Sequence, residues 1–322
     1  MKKKYYFPVF ILGAILFFSL YILSRETNVK EIPVKNISVI TRGKLSESWE
    51  NFKQGAEQAG TDLNANIRMI SLGNEEANKL EEQIELLERE VNSDADAIVI
   101  APVDHEHMAE SLAKMKRNIP VVLVESNVDS KLPYEVIACD NKKMGTALAE
   151  EVMRHGNFRK KVLLINGDIS CSSVLDREAA FRDTMKISYN EILEWEQADY
   201  SSETILNYLQ TNNVDVIVAF DTEILENAAK ALKEYEDQYP PQLTELYGVG
   251  SSSKVIRYLE NDNIVSIVVQ DDYSMGYLGV RDAINAINGR EEKERTEIAF
   301  KIVDHEHMYS EENQRLLFPF VR

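Results

Sequence analysis

Strand-like and helix-like patterns alternate along this chain from Ile37 to Ile287, and that alternation constrains the fold more than any other feature. Its clearest strand lies in DADAIVIAPVD, Asp94 to Asp104. Ala97–Ile100 is a short run of apolar, mostly β-branched residues, the pattern of a strand buried on both faces of a parallel sheet. Pro102 stops it, and Asp104 follows at once. In an open α/β sheet, ligands sit in the crevice beyond the carboxyl ends of the strands. Asp104 is therefore either a carboxylate at the ligand position or a solvated residue capping the next helix.

Ile37–Ile40, Asn66–Ile70 and Pro120–Val124 read as further strands, with helices over Ser46–Gly60, Glu75–Val91 and His107–Lys116. The pattern then restarts. It predicts helices at Lys142–His155, Ser172–Lys186, Ser201–Leu209, Glu223–Tyr235, Ser252–Glu260 and Met275–Ile287. The strands between them are Val162–Ile165, Ile192–Trp195, Val214–Ala219, Leu246–Val249 and Ile264–Val269. Such alternation argues an α/β class with two doubly wound parallel sheets. Two lobes of roughly 130 residues each fit the usual domain size. Hydrophobic residues, 44% of the chain, suffice for two cores.

The formal charge of −18 argues against nucleic acid as a partner, because a phosphate polyanion needs a basic face. Lys2–Lys4 precede a run from Tyr5 to Leu23 without charge. A secretory apolar region is usually about 7–15 residues long, and a spanning helix needs about 17–25. Phe18-Ser19-Leu20 and Ile22-Leu23-Ser24 are too bulky for a cleavage site, and no cysteine follows for lipid attachment. The expectation is an uncleaved single-pass signal anchor over residues 1–25, a tether over 26–35 and an extracytoplasmic domain over 36–322. Cys139 and Cys171 are the only cysteines, and their spacing does not establish a bridge.

Several segments together carry a family resemblance: ISVITRGKLSESWENFKQGAEQAG, AIVIAPVD, IPVVLVES, IACDNKKMGTALAEEV, ADYSSETILNYL and SIVVQDDYSMGYLGVRDAINAINGR. In their order and spacing they resemble the type I periplasmic solute-binding proteins of the ribose- and galactose-binding branch. That fold is shared with lactose-repressor-type effector domains. The resemblance implies two lobes joined by three hinge crossovers, near Ala138–Asn141, Gln270–Asp271 and Glu297–Ile302. Lobe one would be 36–139 plus 271–296, and lobe two 140–270 plus 297–322. The ligand would lie between them.

By the same resemblance Trp49 and Tyr200 match stacking aromatics, with Ser46 polar beside Trp49. Aromatic faces and polar anchors together suit a polyhydroxylated ring. Asp104 matches a hydroxyl-binding aspartate and Gln270 a hinge glutamine, while Asp140 stands at the first crossover. Three positions depart from the family. Leu175 stands where an arginine is expected, with Arg177 two residues on as a structural residue. Phe220 stands where an asparagine is expected, and Ser251-Ser252 where an aspartate is. The resemblance thus implies a lobe-two wall more apolar than a sugar site, with Leu175, Phe220 and Ser252 in it. A tryptophan opening a helix can equally be core or rim packing.

VDHEHM occurs twice, at Val103–Met108 and Val303–Met308, and holds four of the five histidines. His105, His107, His305 and His307 are candidate metal ligands or pH sensors, set against coincidence with solvated histidines. No nucleophile elbow, phosphate-cradling glycine loop or ligand-spaced cysteines are present, so no enzyme and no cofactor are expected. The expected function is a membrane-anchored solute-binding protein that closes on a small, sugar-like ligand and serves an ABC-type importer. The alternative is the same module as a ligand sensor for a membrane histidine kinase. A metal-dependent hydrolase is the distant alternative.

Overall fold

Two six-stranded sheets organise the segment Lys35–Arg322, one of two compact units; the other is Met1–Val34. The computed structural model describes residues 10–11, 13–19, 21, 33–44, 47–73, 79–167, 170–197, 199–238, 244–290 and 294–318. The first sheet contains β1 (Lys35–Ile40), β2 (Ala65–Ile70), β3 (Ala97–Ile100), β4 (Val121–Val124), β5 (Glu135–Cys139) and β11 (Arg295–Ile298). Its order is β11-β5-β4-β3-β1-β2, and every neighbouring pair is parallel. The second contains β6 (Lys161–Ile165), β7 (Glu191–Glu194), β8 (Val216–Ala219), β9 (Glu245–Val249), β10 (Ser266–Gln270) and β12 (Phe300–Asp304). Its order is β12-β10-β9-β8-β6-β7, with only β12 running antiparallel, against β10.

The helices are α1 (Glu50–Leu63), α2 (Lys79–Val91), α3 (His107–Ala113), α4 (Asn141–Arg154), α5 (Ser172–Met185), α6 (Ser202–Thr211), α7 (Thr222–Gln238), α8 (Ser253–Glu260), α9 (Asp272–Ile287) and α10 (Glu311–Leu317). Central strands such as β3 and β8 are buried along their whole length, as expected where helices cover both faces of a sheet. Each lobe also has one close helix pair. A Cβ on Gly55 of α1 would lie 2.0 Å from the Tyr273 carbonyl of α9, and one on Gly145 of α4 would lie 2.0 Å from the Arg177 carbonyl of α5. Only glycine lets these backbones approach so closely.

The chain leaves the first sheet after β5 and enters the second lobe through α4. It returns between β10 and α9, and passes once more between β11 and β12. Asp140 and Asp271, at the first two passages, cap the helices that follow by accepting the Lys143 and Ser274 amides.

The structure adds four elements beyond the strand and helix set expected from sequence: β5, β11, β12 and α10. β11 and β12 are edge strands that are mostly exposed or half-buried, so they lack an apolar run. β5 is fully buried but only five residues long, and it runs directly into the first crossover. Among the described residues no helix is long and apolar enough to cross a membrane. Much of the expected anchor, Tyr5–Leu23, and residues 26–32 of the tether lie outside the described residues.

Candidate functional site: the cleft between the lobes

The carboxyl ends of strands from both sheets face each other across a cavity of about 290 Å³. That volume is close to the lower bound, about 300 Å³, of pockets that bury small ligands. Lobe one contributes Arg42 beyond β1, Trp49 ahead of α1, Glu125 beyond β4 and Asp272 at the start of α9. Lobe two contributes Tyr200 ahead of α6, Asp221 beyond β8, Glu226 in α7 and Gln270 at the end of β10.

The floor is ionic. Arg42 donates to both carboxylate oxygens of Glu125, Nε to Oε2 at 2.8 Å and Nη2 to Oε1 at 3.1 Å. The same Nη2 reaches across the cleft to Asp221. Glu125 adopts φ 64°, a left-handed conformation unusual for a side chain other than glycine. Such strain is held only where surrounding structure over-determines it, and here both ends of the Glu125 carboxylate are fixed.

Burial disfavours charge on Arg42 and Asp221, but their mutual attraction and that of Glu125 outweigh it. Arg42 is held well above the ordinary guanidinium range and Asp221 below the ordinary carboxylate range. Asp272 is the opposite case. Burial, and then the nearby Glu125 charge, push its carboxyl up to about 8.

Behind the floor lies Arg177, fully buried. It donates to Asn141 Oδ1 at 2.8 Å, to the Phe220 carbonyl at 3.2 Å and to Gln270 Oε1 at 3.2 Å. Asn141 and Gln270 flank two of the passages between the lobes, so one guanidinium ties both together and orients the cleft-facing amide of Gln270. Three aromatics line the cavity, Trp49 and Phe52 from lobe one and Tyr200 from lobe two. Trp49 packs edge-on to Phe52, with ring centres 5.4 Å apart. Tyr200 lies so near Gly167 that a Cβ there would meet its Cε1 at 2.8 Å, and its hydroxyl is 3.5 Å from Lys79 Nζ of the other lobe.

Beside the cavity the lobes also meet along a neutral seam. Ser126 Oγ lies 2.7 Å from Cys171 Sγ and donates to Ser173 Oγ at 2.9 Å. The Asn127 amide donates to Ser172 Oγ at 2.8 Å, and the His105 amide to the Ser170 carbonyl at 2.9 Å. Cys139 and Cys171 are both free and buried.

A periplasmic binding protein domain model matches residues 37–291. The chain belongs to this family.

Members of the family are binding proteins rather than enzymes. A curated relative, the D-ribose/D-allose-binding protein of Pseudomonas aeruginosa, is 22% identical over 181 residues. That match takes in 54% of this chain and spans only 57% of the relative's length. Among solved structures, a carbohydrate transporter solute-binding protein of Agrobacterium radiobacter in complex with D-arabinose superposes with a TM-score of 0.80 at 22% identity, over 89% of this chain and 100% of its own. An ABC transporter solute-binding protein of Agrobacterium vitis with bound D-fucose gives 0.79 at 21% identity, over 88% and 100%. These superpositions establish the two-lobed fold that the sequence resemblance implied.

Within this binding protein, the residues expected at the site divide into two sets. Trp49, Tyr200 and Gln270 line the cavity. Asp104, Asp140, Leu175, Phe220 and Ser252 are not among its lining residues, and Ser46 lies outside the described residues. Asp104 accepts the Glu106 and His107 amides at 2.9 and 2.6 Å, so it closes the turn that opens α3. Burial pushes its carboxyl up, but the His107 amide and ring more than compensate, leaving it below the ordinary range. Asp140 caps α4 and pairs with Lys143 at 3.0 Å. Phe220 follows β8, is buried in the core and packs edge-on to Phe181, with centroids 5.5 Å apart. Leu175 is half-buried in α5. Ser252 caps α8 and donates to Glu226 Oε1 at 2.6 Å, so it positions a lining residue from behind.

The lobe-two wall is consequently polar, with Asp221, Thr222 and Glu226 where an apolar surface was expected. Arg42, Glu125, Asp221 and Asp272 were not identified from sequence as site residues. All four stand one or two positions beyond a strand, so the strand-end argument applied to Asp104 reaches them equally.

The two VDHEHM copies share an aspartate-closed turn in different settings, the first running into α3 and the second leaving β12. Val103 and Met108, like Val303 and Met308, are buried, while Asp304 accepts the His307 amide at 2.9 Å just as Asp104 accepts that of His107. His107 and His307 each turn Nδ1 back onto that same aspartate, at 3.1 and 2.7 Å. His305 Nδ1 meets Asp262 at 2.5 Å, and His105 Nδ1 meets the Ser170 carbonyl at 2.9 Å. No cluster of metal-ligating side chains occurs among the described residues. In each copy the valine and the methionine anchor the turn in the core.

Proposed function

We propose that this protein is a membrane-anchored extracytoplasmic solute-binding protein. Its two lobes close on a small polyhydroxylated ligand, sugar or sugar-like, for delivery to an ABC-type permease. The observation that carries this reading is the interlobe cavity itself, which aromatics from both lobes line together with hydrogen-bonding side chains. Aromatic faces take the apolar C–H surfaces of a sugar ring, and polar groups take its hydroxyls. The ribose/allose, arabinose and fucose in the names of similar proteins agree with a ligand of this size. The hinge passages then allow the lobes to rotate about the ligand.

Anchoring is supported by the charge-free run from Tyr5 to Leu23 behind three lysines. Phe10, Ile15, Phe17 and Phe18 are exposed, as an apolar anchor requires. A retained anchor also suits a fixed membrane partner, which favours a sensor kinase as the second reading. A thermal-shift screen of pentoses, hexoses and polyols on the solubilised full chain tests the binding reading. Ligand at about 100 times its dissociation constant adds about 2.7 kcal/mol of stability. A flat response across the whole panel contradicts the reading.

A further inference from the structure

Asp272 lines the cavity and is only partly exposed, yet among the described residues no group hydrogen-bonds or ion-pairs with its carboxylate. The charges around it are otherwise committed. Arg42, from beyond β1, is held by Glu125 and Asp221. Arg177, from α5, is held by Asn141, Gln270, the Phe220 carbonyl and, at 3.7 Å, Glu125. Asp271, the adjacent cap, accepts the Ser274 amide and hydroxyl at 2.9 and 2.6 Å. Around Asp272, the two guanidiniums Arg42 and Arg177 thus meet the carboxylates of Glu125, Asp221 and Asp271, with Asp272 as a further acid.

The cavity also carries Lys44, Lys79 and Lys254 against Glu223 and Glu226, so its charges balance apart from Asp272, whose carboxylate, once ionised, is the one left without a counter-charge. A neutral sugar gives that carboxyl no counter-charge. A ligand with one cationic nitrogen supplies an ammonium donor for the one acid without a partner. We propose that Asp272 makes the cleft selective for a polyhydroxylated ligand carrying a protonated amine, an amino sugar or amino-polyol, over its neutral parent. This inference rests on the reading of the cleft as a sugar-type site.

The proton count follows from the same geometry. Free Asp272, crowded by Glu125 and Asp271, holds its proton at neutral pH, with a carboxyl pushed up to about 8. An ammonium beside it favours the ionised form, so binding below that pH expels the proton to solvent.

The test is calorimetric titration of the solubilised full chain at about pH 6.5 with D-glucosamine, D-galactosamine and D-mannosamine. Each is set beside its neutral parent, in buffers of different ionisation enthalpy. At least one amine should bind about tenfold or more tighter than its parent and release roughly one proton. In Asp272→Asn both the preference and the proton release should disappear. If that variant does not fold, the wild-type proton count still decides. Parents that bind as tightly as their amines, or amines that bind without proton release, overturn this inference and leave the sugar-site reading standing. If neither member of any pair binds, the sugar-site reading fails and the inference falls with it.

Discussion

At the cavity floor the two lobes meet through charge; along the seam beside it they meet through small neutral groups. Arg42 of lobe one is shared between Glu125 of its own lobe and Asp221 of the other. On the seam, Ser126 lies against Cys171 and Ser173, and Asn127 against Ser172. The two regions fail differently. Removing one partner from a buried ionic cluster strands another charge, which costs about 3–5 kcal/mol. Removing a neutral hydrogen bond costs about 0.5–1.5 kcal/mol. The floor therefore holds most of the electrostatic specificity of closure, while the seam permits close approach at little electrostatic penalty.

The largest expected effect is at Arg177, which braces the floor from behind. Arg177→Met should destabilise the protein by about 3–5 kcal/mol, seen as a large fall in melting temperature, because buried Glu125, 3.7 Å from the guanidinium, loses a counter-charge and Asn141 and Gln270 lose their donor. A near-neutral Arg177→Met would show that the floor does not depend on this brace.

The next effect is a pH slope. The folded carboxyl of Asp272 is pushed up to about 8, so the native state binds a proton that the unfolded chain releases near pH 3.9. Stability from this group is present at low pH and falls as pH rises from about 4 to about 8, by up to about 1.4 kcal/mol per unit. Asp272→Asn removes that slope, so its advantage over wild type in thermal melts should grow from pH 5 to pH 8. An advantage independent of pH contradicts the assignment. Asp221 acts in the opposite sense. Its depressed carboxyl contributes stability above about pH 4 that is lost on acidification.

The smallest effect is on the seam. Ser126→Ala should cost about 1 kcal/mol. If it costs as much as Arg177→Met, the contrast between floor and seam is wrong. The seam also offers a readout of closure, because the fully buried Cys171 thiol should be alkylated more slowly when ligand holds the lobes shut.

The legible part of this molecule was its alternation. Ala97–Ile100 and Val162–Ile165 are unbroken apolar runs, and their short length and position between helical patterns mark them as strands without tertiary information. β11 and β12 were not legible, since edge strands with half-exposed faces carry no such run. At the site, Trp49, Tyr200 and Gln270 could be placed because the family pattern surrounds them. The direction of a side chain at a strand end could not be read. Asp104 turns back to cap α3, whereas Glu125 is aimed at Arg42 by a left-handed backbone that no sequence pattern announces. Phe220 and Asp221 are adjacent, yet one faces the core and the other the cleft. Resemblance drew attention to the first, whereas the charge sits on the second.

The central claim, that the interlobe cavity is the ligand site, is tested most directly by one paired titration. The solute giving the largest thermal shift is titrated into wild type, Trp49→Ala and Asp104→Ala. Trp49→Ala should weaken binding by about tenfold or more, about 1.4 kcal/mol, with folding retained. Asp104→Ala, which alters only the turn before α3, should bind within about twofold of wild type. Full affinity in Trp49→Ala, with the loss falling on Asp104→Ala instead, would contradict the account.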